Sequence, residues 1–156
     1  MSGFQKKFHF ERQKSVMLNP EKPGNKAILN DLGVKALAYL GDAVFELIVR
    51  EHLVVSTGVS DPGKLNKLAA SYVKATEQSR AVSRIEEFLT EEESAVYRRG
   101  RNINGVSVPH SASAVEYRRS TGLETLFAYL YLSGKNERIR ELFYRAFPDG
   151  TFEDKA

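Results

Sequence analysis

The sequence contains no cysteine among its 156 residues. This absence excludes disulfide bonds, thiolate-ligated zinc, iron–sulfur clusters and catalysis by a thiol. It also suits a reducing compartment, and we expect a cytoplasmic protein. The sequence has no apolar run typical of a signal peptide, and no stretch predicts a membrane span.

Net charge is low as well, at +3, and this value alone indicates no partner. Residues 1–29 carry six basic and two acidic side chains, a net charge of +4, so residues 30–156 carry −1. We predict that residues 1–29 form a basic, disordered tail. Residues 30–150 are predicted to form one domain, and residues 151–156 a short C-terminal tail.

Residues 30–150 show helical spacing of apolar side chains, without a convincing strand pair or an internal repeat. We therefore predict a single all-α domain. Capping boxes at Thr90/Glu93 and Ser113/Glu116 mark two helix starts, and the loop at 102–113 between these helices is unusually long. The predicted helices run from an Asn30 cap to about Val55, from Asp61-Pro62-Gly63 through Tyr72, over about Ala75–Leu89, over Glu91–Arg101, from Ser113 to Leu132, and over Glu137–Phe147.

The first predicted helix contains acids in an apolar setting. Leu37–Val49 reads LAYLGDAVFELIV, in which only Asp42 and Glu46 are charged. A helix that is apolar on all sides is normally buried on all sides. We therefore expect both carboxylates to lie near the core, where each needs a base, hydrogen bonds or a metal ion.

The fifth helix repeats this pattern, because Glu124 is the only charged residue in LETLFAYLYL at Leu123–Leu132. The simplest arrangement packs the two helices together with Asp42 facing Glu124. Two close carboxylates repel each other unless they are protonated or bridged by a cation, and Mg²⁺ or Mn²⁺ would suit such oxygen ligands. The alternative is a set of buried ion pairs, and an arginine partner is the favoured interpretation for Glu46. Candidate partners are Arg50, Arg118 and Arg119.

Three segments carry a family resemblance. ALAYLGDAVFELIVREHL resembles the hallmark helix of the ribonuclease III catalytic domain, with Gly41-Asp42-Ala43 at its centre. YRRSTGLETLFAYLYL resembles the second acidic helix of that family. EEESAVYRRGRN is similar to the mini-ribonuclease III branch, whose members lack a double-stranded-RNA-binding domain. The resemblance covers about residues 30–147.

The resemblance implies a ribonuclease III-like all-α fold and a homodimeric endoribonuclease. Such an enzyme hydrolyses double-stranded RNA and leaves 5′-phosphate and 3′-hydroxyl ends. Asp42 and Glu124 would be the catalytic and metal-binding residues, with Mg²⁺ as cofactor and Mn²⁺ as a possible substitute. The branch further implies maturation of the large-subunit (23S) ribosomal RNA precursor, with a large-subunit ribosomal protein as stimulating partner.

Two positions depart from the wider family. Ala38 and Thr121 stand where full-length members carry two further acids. The mini branch shares this reduced set, so the departure agrees with the assignment. It leaves the number of metal ions open.

Two groups of cations are candidates for RNA contact, because A-form RNA is recognised mostly through its phosphates and 2′-hydroxyls. One group follows a face of the second helix, and the other crowds the end of the fourth, where pairing with the helix dipole is the alternative. The basic tail is either solvated or an additional RNA-contacting arm. The candidates are Lys64, Lys67, Lys74, Arg98, Arg99 and Arg101.

Two other functions compete with the nuclease. A non-catalytic RNA-binding or ribosome-assembly protein would explain the missing acids but not the retained Asp42 and Glu124. An all-α, Mg²⁺-dependent nucleotide pyrophosphatase would need clustered glutamates on facing helices. We expect Glu86, Glu87 and Glu91–Glu93 to lie at exposed helix ends instead.

Overall fold

Helices make up most of the described residues, and their connections are short except for the predicted long loop at 102–113. The computed structural model describes residues 32–105 and 107–148, and these ranges contain no strand. The all-α prediction is therefore confirmed. The predicted tails and the Asn30 cap lie outside the described residues. The helices are α1 (Val34–Thr57), α2 (Pro62–Val73), α3 (Ala75–Ile85), a 3-10 turn (Glu86–Phe88), α4 (Glu91–Arg101), α5 (Ala114–Leu132) and α6 (Asn136–Ala146).

Helix α5 is the central element, and it packs against α1, α3, α4 and α6. Nearly every residue from Ser120 to Leu130 is buried, as expected for a helix with apolar side chains around its whole circumference. Glu124 is the exception within this stretch and is only partly covered. A carboxylate is thereby held at the edge of the most buried helix.

The prediction that helix α1 is buried on all sides is wrong. Leu37, Val44 and Phe45 are buried, but Tyr39 is 85% exposed and Leu47 is 52% exposed. The reason is that α1 packs mainly against α5 and α2, which leaves its remaining side open. Asp42 lies on the open part of the helix surface and is exposed.

Aromatic side chains fill the core where α1, α2, α5 and α6 meet. The Phe45 ring lies edge-on to Phe127, with 5.6 Å between the ring centroids. Tyr72 stacks against Phe143 at 6.0 Å. Such large, fully buried rings each remove much apolar area from water, so this cluster fixes the positions of the two long helices.

The helix boundaries follow local capping. The Asp61 carboxylate accepts a hydrogen bond from the Lys64 backbone N–H at 2.8 Å, and both predicted capping boxes are present. Helix α1 begins after Gly33 and continues to Thr57, where Gly58 ends it with a φ of 63°. The third predicted helix changes to a 3-10 turn at Glu86, three residues before its predicted end.

One of the glutamates expected at exposed helix ends is buried. Glu93 is 4% exposed, and the Arg138 guanidinium donates to its carboxylate through Nε and Nη2, each at 2.9 Å. Burial alone would raise the pKa of Glu93. The hydrogen bonds from Arg138 and the Thr90 backbone, together with the positive charges of Arg138 and Lys135, outweigh burial and hold the pKa below its ordinary value. The pair attaches α6 to the start of α4.

No helix within the described ranges is both long enough and apolar enough to cross a bilayer.

Candidate active site

Helices α1 and α5 touch backbone to backbone at Gly41. A Cβ atom built on Gly41 would overlap the carbonyl group of Glu124 and would lie 3.0 Å from the Glu124 Cα atom. Glycine is therefore required here by the close approach, at a cost of about 1 kcal/mol in helix propensity relative to alanine. Since Asp42 directly follows Gly41, the crossing brings the Asp42 and Glu124 side chains into one neighbourhood.

The two acids differ in their exposure to water. Asp42 is exposed, whereas Glu124 is partly buried. Burial, and secondly the negative charge of Asp42, raise the pKa of Glu124 to about 8. Asp42 is therefore close enough to oppose the ionisation of Glu124. The expectation that the Asp42 and Glu46 carboxylates lie near the core is wrong, because α1 is open on that side. Asp42 is exposed, and the Glu46 side chain is 43% exposed.

Pairing with an arginine, the alternative to a bridging metal ion, is what neutralises the Glu46 carboxylate. Arg50 donates to the Glu46 carboxylate at 3.0 Å, one helical turn further along α1. Arg119 instead donates to the Ser83 hydroxyl at 2.6 Å. Within residues 32–105 and 107–148, no ion pair includes Asp42 or Glu124. The two facing acids thus lack a compensating basic side chain in this part of the chain.

Gln78 on α3 is a site residue that sequence reasoning missed. Its side chain is buried, at 2% exposure. Its amide lies close enough to the Glu124 carboxylate to offset part of the rise in the Glu124 pKa. A signal was available, because Gln78 is the one polar member of a helix face that otherwise buries Ala81, Val82 and Ile85.

The oxygen ligands at this site are few. Among the described residues, no group of three or more acidic or histidine side chains could hold a metal ion. Thr121, where the family resemblance implies a further acid in full-length members, is buried, and its hydroxyl donates to the Tyr117 carbonyl at 2.9 Å. Asp42 and Glu124 nevertheless fit a hard divalent cation. Both can supply anionic oxygens, and a cation would offset the burial and the Asp42 charge that raise the Glu124 pKa.

The predicted RNA-contacting residues occupy two separate places. Lys64 and Lys67 are exposed on α2, and Lys74 is exposed at the junction of α2 and α3. Arg98 and Arg99 are exposed near the end of α4. Arg101 is more enclosed, because its guanidinium lies 5.8 Å from the centre of the Tyr97 ring and donates to the Asn102 side chain at 3.3 Å.

Comparison with known proteins agrees with this architecture. The Ribonuclease III domain family matches residues 35–135, a range that includes both acids. The chain is 46% identical to the Mini-ribonuclease 3 of Symbiobacterium thermophilum over 70% of its own length and 84% of that protein. For the Mini-ribonuclease 3 of Clostridium tetani, the identity is 38% over 75% of this chain and 78% of that one.

A solved crystal structure of a Fusobacterium nucleatum protein is also similar. It superposes with a TM-score of 0.67 at 32% identity and covers 73% of this chain and 87% of that protein. The chain belongs to the ribonuclease III family of endoribonucleases. Within that family, the relatives from Symbiobacterium thermophilum and Clostridium tetani are named Mini-ribonuclease 3, in agreement with the branch that the RRGRN segment indicates.

Replacing Gly41 by alanine should separate α1 from α5. We expect a loss of roughly 1–3 kcal/mol in unfolding free energy, because the added methyl group has no space. We also expect ribonuclease activity to fall about 10-fold or more, because the two acids move apart. Urea unfolding and a cleavage assay measure the two effects.

Gly33→Ala is the matched control, because a Cβ at Gly33 would meet nothing within 4 Å. Near-wild-type stability and activity of Gly41→Ala would contradict the close crossing.

Replacing Glu124 by glutamine should stabilise the metal-free protein as the pH rises. Folding raises the Glu124 pKa from 4.5 to about 8, so the folded state loses stability as the carboxyl ionises over this range. We expect Glu124→Gln to match the wild type near pH 4.5 and to melt roughly 3–10 °C higher at pH 8. Thermal unfolding in EDTA across this pH range measures the difference.

Glu51→Gln, which removes an exposed acid from α1, is the control and should show no such trend. A melting difference between Glu124→Gln and the wild type that stays constant with pH would contradict the raised pKa.

Proposed function

We propose that this protein is a Mg²⁺-dependent endoribonuclease that hydrolyses double-stranded RNA with Asp42 and Glu124. The observation that carries this proposal is the crossing at Gly41, which holds two carboxylates together without an arginine partner in the described ranges. Membership of the ribonuclease III family supports the reaction type. Products with 5′-phosphate and 3′-hydroxyl ends would follow from that chemistry.

Asp42 and Glu124 would hold the cation. When bound, Mg²⁺ polarises the scissile phosphate and lowers the pKa of the attacking water, and Mn²⁺ could substitute for it. Exposed Asp42 is accessible to an RNA backbone, whereas Glu124 anchors the site on the central helix. Two carboxylates leave several coordination positions for water and phosphate oxygens, as is usual for Mg²⁺.

The non-catalytic alternative is less well supported. A pKa of about 8 for Glu124 means that the folded protein carries an energetic penalty for ionising this side chain near neutral pH. A protein that only binds RNA would gain nothing from two facing acids, which repel phosphates. A cation-dependent reaction gives this arrangement a use.

RNA would contact the exposed cations. Lys64, Lys67 and Lys74 project from α2 and its C-terminal end, and Arg98 and Arg99 project from α4. Such contacts to phosphates do not depend on base sequence and weaken with salt. Arg101 would contact RNA phosphates from its position over the Tyr97 ring.

The open side of α1 favours a homodimer. Tyr39, Ala43, Leu47 and Val54 recur at helical spacing there, and all four are exposed. A row of exposed apolar side chains on one helix face is typical of an interface. The same helix carries Asp42. A second copy of the chain is the occupant that we propose, and it would place two acidic pairs in one assembly.

The biological substrate that we propose is the precursor of 23S ribosomal RNA, processed in the cytoplasm. This proposal rests on the similarity to proteins named Mini-ribonuclease 3 and on the branch resemblance of the RRGRN segment. A large-subunit ribosomal protein that binds this precursor would be the stimulating partner.

Replacing Asp42 by asparagine should abolish cleavage of a structured double-stranded RNA in Mg²⁺. We expect a loss of at least about 100-fold, because the variant lacks one of two anionic ligands for the charge-stabilising cation. EDTA should abolish wild-type cleavage in the same gel assay.

Glu46→Gln is the matched control for this assay. It removes the next acid along α1, which is paired with Arg50, and should cleave at close to the wild-type rate. Equal cleavage by Asp42→Asn and the wild type would refute the proposed site.

A further inference from the structure

The side chain of Gln78 joins α3 to the acidic pair. Gln78 lies in the first half of α3, a helix that packs against α5. Its amide lies within reach of the Glu124 carboxylate and lowers the pKa of that group, as a hydrogen-bond donor does. Glu124 must be ionised to bind a cation, and an ionised carboxylate only accepts hydrogen bonds, so in that state the Gln78 amide nitrogen would be the donor.

The other end of the same amide has no partner. The Gln78 Oε1 atom is buried, and no hydrogen-bond donor reaches it within the described part of the chain. A buried acceptor without a donor destabilises a folded protein, so an apolar side chain would be the stabler choice at this position. The neighbours of Gln78 on the same helix face, Ala81, Val82 and Ile85, are apolar and buried, as packing alone would require.

An unfavourable buried amide that touches one of two facing acids indicates a role in the site. We propose that Gln78 is a positioning residue, whose amide fixes the Glu124 carboxylate toward Asp42 so that the pair binds a divalent cation. Gln78 itself touches neither RNA nor the reacting atoms in this account. The inference rests on the proposed function, because it requires that Asp42 and Glu124 hold the cation.

This role compensates for the reduced acid set. With only two carboxylates to hold a cation, the orientation of each one matters more than in a site with additional anionic ligands. The Glu124 backbone is already fixed by its contact with Gly41. The Gln78 amide would fix the remaining freedom, which is the rotation of the side chain. Partners that orient a metal ligand commonly change metal affinity about 10–100-fold when they are removed.

The test replaces Gln78 by methionine in the full chain, because methionine has a similar length and removes both ends of the amide. Thermal unfolding is followed while Mn²⁺ alone is titrated, since a cation that binds the folded state raises the melting temperature. We expect the Mn²⁺ concentration for half-maximal stabilisation to rise about 10-fold or more. We expect the metal-free melting temperature to stay equal or to increase, because the unpaired oxygen is gone.

Cleavage of double-stranded RNA gives a second measurement. With Mn²⁺ below its new midpoint, kcat should fall while KM for RNA stays near the wild-type value. Raising the Mn²⁺ concentration should restore kcat. Gln78→Leu is the second variant and should behave in the same way if the amide, rather than the shape of the side chain, is what matters.

Val82→Ala is the matched control, because it removes packing from the same face of α3 one turn further along. It should lower the melting temperature at every Mn²⁺ concentration without moving the Mn²⁺ midpoint. An unchanged midpoint in Gln78→Met or Gln78→Leu would overturn the positioning role. The failure of the proposed site itself would look different, because Asp42→Asn and Glu124→Gln would then also leave the Mn²⁺ response unchanged.

Discussion

The contact between the Gly41 backbone and the Glu124 carbonyl group is the constraint on which the site depends. Helices with ordinary side chains pack with their axes about 8–10 Å apart, whereas here even a single methyl group would overlap the partner backbone. The close approach sets the distance between two side chains that repel each other. The large aromatic rings around Phe45 and Phe127 supply the packing that holds the helices together despite that repulsion.

A second close crossing supports the first. A Cβ on Gly122 would lie 2.6 Å from the Tyr97 ring, and one on Gly100 would lie 3.0 Å from the Gly122 Cα atom. Helix α5 is therefore held tightly by α4 on one side and by α1 on the other. The result is a rigid central helix that presents Glu124 at its edge, and rigid placement is what a site with few ligands requires.

Much of the fold follows from local sequence signals. Both capping boxes and the Asp61 cap determine helix starts through hydrogen bonds between near neighbours, so spacing alone is sufficient to predict them. The exposure of α1 could not be predicted in this way, because apolar spacing does not reveal whether a neighbouring element covers each side. Glu93 was mistaken for an exposed acid because its partner, Arg138, lies 45 residues further along the chain.

The candidate site could likewise be predicted from the sequence only in part. The lone acids in two apolar helices, together with the Gly41-Asp42-Ala43 motif, led to the pairing of Asp42 with Glu124. The contribution of Gln78 depends on how α3 packs against α5, which no sequence spacing reports. The RNA-contacting role of the lysines and arginines stays a prediction, because exposure alone does not distinguish a binding surface from a solvated one.

Anomalous X-ray diffraction from crystals of the protein containing Mn²⁺ is the most direct test of the central claim. The account predicts a Mn²⁺ peak between the two helices, within about 2.5 Å of a carboxylate oxygen of Asp42 and of Glu124. The same peak should be absent from crystals of Asp42→Asn. A Mn²⁺ peak elsewhere in the protein, with none between these two carboxylates, would contradict the account.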